Sequence, residues 1–467
     1  MKEEMNMFGQ KKAKGLKIII VGCSRVGETL VEELCNEGHD ITIVDTDRDK
    51  VNEITGIYDI MGVVGNGASF GVQLDAGIKD ANLIIAVTES DELNLLCCTV
   101  ARRVGNCAAI ARVRNPEYGI EVEYLREKLG LEMIINPDLE ASREMSRILC
   151  LPNALEVNAF AHGQAELIKI KVPKGNMLDG ITVAEVGAKT EDVLITAVER
   201  SGHIFIPSGD FKIEAGDVLS FVTPRKQVKT FFKTIGFKTN QVKDTLIVGG
   251  GSTTYYLAKQ LLHVGIGVKI IEKDKKRCDE LSILLPKAVI INGDGTDEEL
   301  LKEEGIEDVE SFIPLTGIDE ENILLTLYAN QASDVEAKVI TKINRLTYNS
   351  VISKLELGSV IYPRYITTEA IVAYVRAKSA SRSNNIETLS HLYNQKVEAI
   401  EFRVNQENLV TNIPLMNLDL KDDLLISFIN RHGKIIIPNG QDCIKPGDTV
   451  MIVTTQKGLV DISDILE

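Results

Sequence analysis

Apolar and polar residues alternate regularly along the first 140 positions, where short apolar runs are separated by longer amphipathic stretches. The runs LKIIIVG, DITIVD, DIMGVVG, NLIIAVT, CAAIARV and LEMIINP are rich in Ile and Val. After the first run, Val26, Leu30, Val31 and Leu34 recur at helical spacing. Strands that alternate with helices form a parallel sheet covered on both faces, and their burial explains their continuous apolar character. The pattern predicts an α/β domain built on a parallel sheet.

The same order of strands returns after Lys243, in DTLIVGG, GVKIIEKD, KAVIING, SFIPLTG, AKVITKI and SVIYP. Single landmarks recur at a nearly constant separation: Gly22 and Gly249 lie 227 positions apart, and Thr88 and Thr316 lie 228 apart. A separation this steady over about a hundred residues indicates an internal duplication.

Each sheet domain is followed by about 80 residues of another kind. IFIPSGDFKIEAGDVLSFVT and IIIPNGQDCIKPGDTVMIVT share Pro, Gly and Gly-Asp at a separation of 231, with turn residues between alternating strands. They predict two small α+β modules. The expected boundaries are a flexible leader at 1–15, a sheet domain at 16–138, a connecting helix at 139–157, a module at 158–238, a second sheet domain at 242–366, a second connecting helix at 367–390 and a second module at 391–467.

Composition narrows the class of protein. The chain has 467 residues and a net charge of -16, which is typical of an acidic, soluble, multidomain protein without a basic nucleic-acid-binding face. Its apolar runs are far shorter than the ~20 residues needed to cross a bilayer, and its charged first fifteen residues do not form a secretory signal. Eight cysteines without ligand spacing indicate reduced, buried thiols rather than zinc ligands or disulfides. These features favour the cytoplasm.

A glycine-rich turn joins the first strand to a helix in each copy. The G-x-G-x-x-G positions hold Gly22, Ser24 and Gly27 in the first copy and Gly249, Gly251 and Thr254 in the second. Such a turn binds phosphate because backbone N–H groups and the helix dipole point at one spot, although any strand–helix turn favours glycine. Each copy therefore resembles a Rossmann-like nucleotide site that lacks one glycine.

An acidic residue follows the second strand in both copies. Asp45 lies 23 positions after Gly22, and Glu272 lies 23 positions after Gly249. A carboxylate there can bind the ribose hydroxyls of an adenine nucleotide and would repel the 2′-phosphate of NADP. Helix capping is the alternative role, because both residues also precede helices.

Other polar residues follow the remaining strands, at the edge where ligands of open parallel sheets bind. Thr88 and Thr316 can either contact a ligand or begin a helix, whereas capping and packing are favoured for Asp91, Asn94, Asp319 and Asn322. Arg25 can contact a terminal phosphate or lie in solvent. Arg112 can reach the ligand or pair with a neighbouring carboxylate.

Catalytic motifs are missing from the sequence. It has no GxGK[ST] turn, no G-x-S-x-G elbow and no Cys/His nucleophile pair, and its six histidines have no evident acid or base partner. An NAD-dependent oxidoreductase remains the alternative from the enzyme class. A redox-sensing transcription regulator would need a basic DNA-binding face, and none is evident.

The order GCSRVG, ITIVDTD, GNGAS, AVTESDELNLLCCTVAR and IARVRNPEY, followed by a GD-containing module and then repeated, resembles the TrkA family of Trk potassium-uptake systems. The resemblance covers residues 16–460. It implies two regulator-of-K+-conductance (RCK) units, each with a Rossmann-like N domain and a small α+β C domain.

The resemblance also implies a function. It implies a non-enzymatic cytoplasmic subunit, peripheral at the inner face of the membrane, that binds NAD(H) or ATP/ADP and gates a K+-translocating membrane subunit of the Trk/Ktr type. Eight N domains in a ring would make the chain a tetramer. The implied contacts are Gly22, Cys23, Ser24, Arg25, Val26, Asp45, Thr88, Glu89 and Arg112 in the first unit and Gly249, Gly250, Gly251, Ser252, Thr253 and Glu272 in the second, with Cys23, Val26 and Gly250 contributing only backbone.

Overall fold

We describe the protein from a computed structural model. It describes residues 15–119, 122–151, 153–190, 192–237, 239, 241–335, 337–344, 352, 355–379, 384–393 and 395–467. The chain forms two compact units: one holds the described residues before Leu139 together with those of 364–381, and the other holds the rest.

The first N domain is a six-stranded parallel sheet in the order β3-β2-β1-β4-β5-β6. Its strands are β1 Lys17–Val21, β2 Asp40–Asp45, β3 Met61–Val64, β4 Leu83–Ala86, β5 Ala108–Arg112 and β6 Met133–Ile135. Its helices are α1 Arg25–Asn36, α2 Arg48–Ile57, α3 Phe70–Asp75, α4 Asp91–Val104, α5 Pro116–Gly119 and α6 Val122–Leu129. The order reverses between β1 and β4, so the carboxyl ends of these two strands border an open crevice.

Burial in this domain follows the apolar pattern. Val26, Leu30, Val31 and Leu34 of α1 are all buried against the sheet, as their spacing predicted. β1 lies between β2 and β4, and its four apolar residues are at most 2% exposed. The parallel α/β fold predicted from the sequence is therefore confirmed.

The second N domain repeats this topology, in the order β14-β13-β12-β15-β16-β17. Its strands are β12 Asp244–Val248, β13 Gly267–Glu272, β14 Val289–Asn292, β15 Ser311–Pro314, β16 Lys338–Lys342 and β17 Ser359–Ile361. Its helices are α10 Ser252–His263, α11 Lys275–Leu284, α12 Glu298–Glu303 and α13 Asp319–Ala332. The duplication inferred from the spacing of landmarks is thus present in the fold.

The two C domains are antiparallel five-stranded sheets of one topology, β10-β9-β11-β8-β7 and β18-β19-β22-β20-β21. The first contains β7 Ala154–Phe160, β8 Ala165–Lys171, β9 Leu194–Arg200, β10 His203–Phe205, β11 Val218–Pro224, α8 Val183–Lys189 and α9 Val228–Thr234. The second contains β18 Asn384–Leu392, β19 Val397–Val404, β20 Leu424–Arg431, β21 Lys434–Ile436 and β22 Thr449–Thr454.

The repeated Gly-Asp pair has a structural role in these modules. Asp217 is 1% exposed and accepts two hydrogen bonds of 2.7 Å from Arg200, and Asp448 is bonded in the same way by Arg431. A bidentate pair of this kind fixes the turn before the last strand.

Two helices connect N and C domains. α7 Pro137–Cys150 is shorter than the predicted 139–157, since β7 begins at Ala154 and pairs with β8. α14 Pro363–Ser379 begins before the predicted 367–390, and β18 starts at Asn384. The residues of 364–379 belong to the first unit, although they follow the second N domain in the chain.

The two C domains share a core inside the second unit. Phe160 and Leu167 of the first cluster with Tyr393, Phe428 and Met451 of the second. The Tyr393 hydroxyl bonds Ser220 Oγ at 2.8 Å, across the contact between the modules. The pair of C domains is therefore held together by packing and by buried hydrogen bonds.

Candidate functional site

Two glycines of the first turn are required by its geometry. Gly22 has φ of +113°, and a Cβ there would lie 3.0 Å from Thr88 N. A Cβ on Gly27 would lie 2.0 Å from the Gly22 carbonyl oxygen. A side chain at Gly22 would be strained and would press on the backbone after β4, and one at Gly27 would push α1 away from the end of β1.

The middle position does not require glycine. Ser24 is extended, with φ of -71° and ψ of 169°, and its hydroxyl donates to Val87 O at 3.0 Å. Its counterpart Gly251 has nearly the same backbone angles, and a Cβ there would meet open space. Ser24 thus replaces the middle glycine without strain, and its hydroxyl bonds a protein carbonyl.

The second turn replaces the closing glycine by a hydrogen-bonding residue. Thr254 is fully buried, and its hydroxyl donates to Gly249 O at 2.5 Å. The equivalent carbonyl, that of Gly22, is the atom that a Cβ on Gly27 would contact. In the second copy, a hydrogen bond from Thr254 to Gly249 O therefore joins the helix to the turn at the place where the first copy has a close approach of Gly27 to Gly22 O.

Both acidic residues bond the glycine turn that precedes them. Asp45 Oδ2 accepts from Cys23 N at 2.6 Å, and Glu272 Oε2 accepts from Gly250 N, also at 2.6 Å. The other carboxylate oxygens accept from the backbone N–H two residues further on, at 2.9 Å and 2.7 Å. The helices that follow are capped by Asp47 and, in the second copy, Asp274, so the capping alternative is not the role of Asp45 or Glu272.

Two neighbouring positions change together between the copies: the acidic residue after the second strand and the residue after the first glycine of the turn. The first copy has Asp45 with Cys23, and the second has Glu272 with Gly250. A Cβ on Gly250 would lie 2.9 Å from Glu272 Oε2 and 2.8 Å from Leu281 Cδ1. In the first copy the shorter Asp45 leaves room for the side chain of Cys23, which is buried. Burial, with the nearby Asp45 carboxylate, raises the pKa of the Cys23 thiol to about 12, so this thiol is protonated at neutral pH.

The helices that begin at the glycine turns differ from those that follow them. The residues before α1 and α10, Ser24 and Gly251, make no side-chain capping hydrogen bond to their helices. α2 and α11 are both capped by aspartate. An uncapped helix start at the carboxyl end of a central strand is suited to bind the phosphate of a ligand.

Polar residues at the ends of β4 and β5 form a network in the first copy. Asn94 is fully buried, accepts from Thr88 N and Thr88 Oγ1, and donates to Arg112 O at 2.9 Å. Asp91 accepts from Arg114 N and Asn115 N. The second copy repeats this pattern with Thr316, Asn322, Asp319 and Asn344. These Asp and Asn residues thus bond neighbouring backbone in both copies, as a packing role requires, while Ser90 and Ile318 occupy the N-cap positions of α4 and α13.

Arg112 is a buried cation at the end of β5. It is 7% exposed, its Nη2 donates to Thr88 O at 2.5 Å, and its Nε has no hydrogen-bond partner among the described residues. Burial and the neighbouring Arg114 lower its pKa to about 10, so it stays charged at neutral pH. An unpaired buried donor on a cation is costly, and an anionic ligand would relieve that cost.

The other predicted residues lie around the same crevice in each N domain. The first crevice is the one at the carboxyl ends of β1 and β4, and the second is its equivalent at the carboxyl ends of β12 and β15. Arg25 and Glu89 are exposed, Val26 and Thr253 are buried, and Ser252 begins α10. Lys342 replaces Arg112 in the second copy and donates to Leu315 O. The structure thus places the predicted residues of each copy at the carboxyl ends of β1, β2, β4 and β5 or of β12, β13, β15 and β16.

Sequence reasoning missed one residue of the second crevice. Arg277, in the first turn of α11, donates from Nε to Gly250 O at 2.7 Å. The equivalent residue of the first copy is Lys50, so the sequence shows a basic residue at this position in both copies. Nothing in the sequence shows that the Arg277 side chain reaches the glycine turn.

The part of the chain that the structure describes lacks two further kinds of feature. It contains no group of three His, Cys, Asp or Glu side chains that could hold a metal ion. No helix there has the length and apolar character needed to cross a membrane. All eight cysteines are free thiols, and five of them are buried.

Residues 18–137 and 245–363 match the TrkA-N domain family, and residues 167–236 and 399–467 match the TrkA-C domain family. The chain belongs to the TrkA family. The resemblance noted in the sequence is confirmed, as is the tandem arrangement of two Rossmann-like domains, each with a small α+β domain.

Relatives of similar length share this architecture. The Trk system potassium uptake protein TrkA of Haemophilus influenzae is 32% identical, over 95% of this chain and 96% of the relative. A TrkA homolog from Archaeoglobus fulgidus is 31% identical, over 96% of this chain and all of the relative.

Solved structures share the fold at lower identity. The GsuK channel bound to NAD has a TM-score of 0.63 and 18% identity, covering 95% of this chain and 77% of the channel. The isolated GsuK RCK domain also has a TM-score of 0.63 and 18% identity, with 95% and 93% coverage. A GsuK structure bound to ADP has a TM-score of 0.51 and 15% identity, covering 78% of this chain and 70% of that chain.

Proposed function

We propose that the protein is a nucleotide-binding regulatory subunit that gates a potassium-translocating membrane partner. The observation that carries this proposal is the first crevice. There an uncapped helix start, a carboxylate bonded to the glycine turn and a buried arginine with an unpaired N–H group lie at neighbouring strand ends. Together they provide sites for phosphate, ribose and additional negative charge.

The ligand that we propose is NAD(H) or ATP/ADP. Asp45 and Glu272 keep the carboxylates that pair with unphosphorylated ribose hydroxyls and disfavour a 2′-phosphate. Proteins of this fold have been solved with NAD and with ADP bound. We infer a direct role for Gly22–Val26, Asp45, Thr88, Glu89 and Arg112 in the first crevice and for Gly249–Thr253 and Glu272 in the second.

Regulation requires that the ligand bind one arrangement of the protein more tightly than another. The difference between the two affinities is the free energy available to move the partner. We propose that the N domains form a ring from four chains and that nucleotide binding rearranges this ring. The names of the relatives, which are potassium-uptake proteins, support a Trk/Ktr-type partner and a position at the inner face of the membrane.

We propose no catalytic role. The Cys23 thiol beside the first crevice is protonated at neutral pH because burial raises its pKa to about 12, and it is therefore a poor nucleophile. The carboxylates of Asp45 and Asp91 at the first crevice accept hydrogen bonds from backbone N–H groups, so they are not arranged as the acid or base that the alternative, an NAD-dependent oxidoreductase, would need. Steady hydride transfer to a small substrate would establish that alternative.

Thermal unfolding in the presence of NAD+, NADH, ATP or ADP tests ligand binding. We expect at least one of them at millimolar concentration to raise the unfolding temperature, since a ligand that binds only the folded state stabilises it. Asp45→Ala should reduce the shift. Glu53→Ala, an exposed change on α2, is the control. No shift with any nucleotide would refute the ligand proposal, and failure to co-purify with a potassium-translocating membrane protein would refute the gating proposal.

A further inference from the structure

A cation beside the second crevice has no part in the function proposed above. Arg277 is 27% exposed, and its Nη1 donates to Glu280 Oε2 at 2.8 Å while its Nε bonds Gly250 O at 2.7 Å. The guanidinium is therefore held at two points against the glycine turn.

The carboxylate of Glu272 bonds the same glycine from its other end, accepting from Gly250 N at 2.6 Å. Carboxylate and guanidinium thus converge on one residue, beside the place where Glu272 would hold the ribose of a nucleotide. Arginine has five N–H donors. Two of those of Arg277 have protein partners, and the other three have none among the described residues.

The first crevice lacks this arrangement. Lys50 occupies the equivalent position, is 58% exposed, and has its Nζ 3.9 Å from Asp47 Oδ2. Among the described contacts it makes no hydrogen bond to the turn. A lysine is also a single mobile charge, whereas the planar arginine fork can bond the turn and a ligand together.

We propose that Arg277 is a specificity-determining residue of the second crevice, where it donates a hydrogen bond to a ribose hydroxyl oxygen of the adenine nucleotide. The inference rests on the proposed nucleotide binding. Hydroxyl hydrogens of the ribose donate to Glu272 and a hydroxyl oxygen accepts from Arg277, so the diol is bonded as donor and as acceptor. The second crevice consequently selects ribonucleotides through two side chains, and the first through Asp45 alone.

Calorimetric titration with ATP and with 2′,3′-dideoxy-ATP tests this role. The full-length chain carries Asp45→Ala so that binding at the first crevice is weakened, and Arg277→Gln is added to it. A hydrogen bond to a charged group contributes enough that its loss should weaken ATP binding about tenfold. Binding of the dideoxy analogue should change by less than about twofold, because it has no ribose hydroxyl to lose.

Lys276→Gln is the matched control, since it removes the same charge from the neighbouring, exposed residue of α11. It should leave the affinities for both ligands unchanged. Arg277→Lys, which keeps the charge and loses the fork, should weaken ATP binding and again spare the analogue.

Equal weakening of both ligands by Arg277→Gln would show that the arginine only holds the turn, and would overturn the inference. Unchanged binding of both would overturn it as well. These outcomes leave the proposed function intact, because ATP still binds. Absence of ATP binding in the Asp45→Ala chain would overturn this inference alone, whereas absence of binding of ATP, ADP, NAD+ and NADH to the unaltered chain would refute the proposed function together with it.

Discussion

At the scale of single residues, the two crevices solve one packing problem in two ways. The longer Glu272 lies over a glycine, and the shorter Asp45 lies beside Cys23. The volume gained in one side chain is lost in its neighbour. Such compensation is expected in a close-packed protein interior, where one added methylene forces neighbouring side chains to move and lowers stability.

Gly250→Ala tests this compensation. The added Cβ would lie 2.9 Å from Glu272 Oε2 and 2.8 Å from Leu281 Cδ1, so the carboxylate must move away from the turn. We expect a loss of about 1–3 kcal/mol in the free energy of unfolding, as for other overpacked sites, and weaker nucleotide binding at the second crevice. Urea unfolding and calorimetric titration measure the two effects.

The rescue is the decisive part of that experiment. Glu272→Asp, combined with Gly250→Ala, recreates the spacing of the first crevice and should recover most of the lost stability. Cys23→Ala, at the equivalent position, removes atoms instead of adding them and serves as the control. A double variant no more stable than Gly250→Ala would show that the two positions are not coupled.

Glu401 predicts a pH dependence at the contact between the C domains. It is 1% exposed, its Oε1 accepts from Ala161 N at 3.0 Å, and Thr388, Glu387 and His162 also face it. Burial raises its pKa to about 7, above its ordinary value, so the folded protein retains a proton that the unfolded chain releases. The resulting stabilisation is complete below about pH 4 and is lost as the pH rises to 7.

Glu401→Gln removes this titration while keeping the shape of the side chain. Between pH 5 and 8 we expect the variant to lose less stability than the parent protein, by up to about 3 kcal/mol. Unfolding temperatures at half-unit pH intervals measure the difference. Glu407→Gln, on an exposed loop, should leave the pH profile unchanged. Parallel profiles for the parent and Glu401→Gln would contradict the assignment.

At the scale of elements, one ion pair anchors a helix far from its own place in the sequence. Arg376 of α14 bonds Glu37 through Nε and Nη2, both at 2.7 Å, and the two side chains are 3% and 13% exposed. His39 Nε2 lies 3.7 Å from the other oxygen of Glu37. The pair joins a helix that follows the second N domain to the end of α1 in the first.

Glu37→Gln should destabilise the first unit by about 3–5 kcal/mol, because it removes a buried carboxylate that pairs with a buried arginine. Limited proteolysis after α14, together with the unfolding temperature, measures the effect. The double variant Glu37→Leu/Arg376→Met removes both charges and should cost less than the sum of the single changes. Additive losses would show that the two side chains are not an interacting pair.

The elements could be predicted from sequence because their signal is periodic and written twice. Apolar runs gave the strands of both N domains, and Val26 to Leu34 gave the buried face of α1. The ends of the connecting helices were harder to predict from the sequence. They are set by β7 and β18, which begin where pairing with a neighbouring strand becomes possible. That pairing is a tertiary event, which local pattern does not encode.

The residues of the candidate sites also fall into two groups: those that sequence spacing predicts and those that only the structure reveals. Gly22 and Asp45 could be found because the turn and its carboxylate have fixed spacing. The meaning of Ser24 required its backbone angles, which are ordinary for any residue. Arg277 and the unpaired Nε of Arg112 depend on the reach of long side chains across the fold, and no spacing in the chain specifies that.

At the scale of the whole molecule, the shared core of the two C domains indicates which domains a ligand does not move apart, because their separation would cost the most free energy. The C domains share a core that includes Phe160, Tyr393 and Phe428, each at most 4% exposed. Separating them would expose these rings and break the Tyr393–Ser220 bond at 2.8 Å. Burial of a large apolar side chain contributes about 1.5–3 kcal/mol, so several such rings make separation unfavourable. A nucleotide-driven rearrangement should therefore leave this pair intact.

Hydrogen exchange of the full-length chain, with and without saturating NAD+ or ATP, tests this view. Amide exchange should slow at the glycine turns, Gly22–Val26 and Gly249–Thr253, where backbone N–H groups would contact phosphate. It should stay unchanged within β8, β11, β19 and β22, which pair around the shared core. Tyr393→Ala, which removes the ring between the modules, is the comparison: it should speed exchange in those strands and leave ligand protection at the turns. Nucleotide-dependent exchange in the core strands of the unaltered chain would mean that the C domains themselves move when the ligand binds.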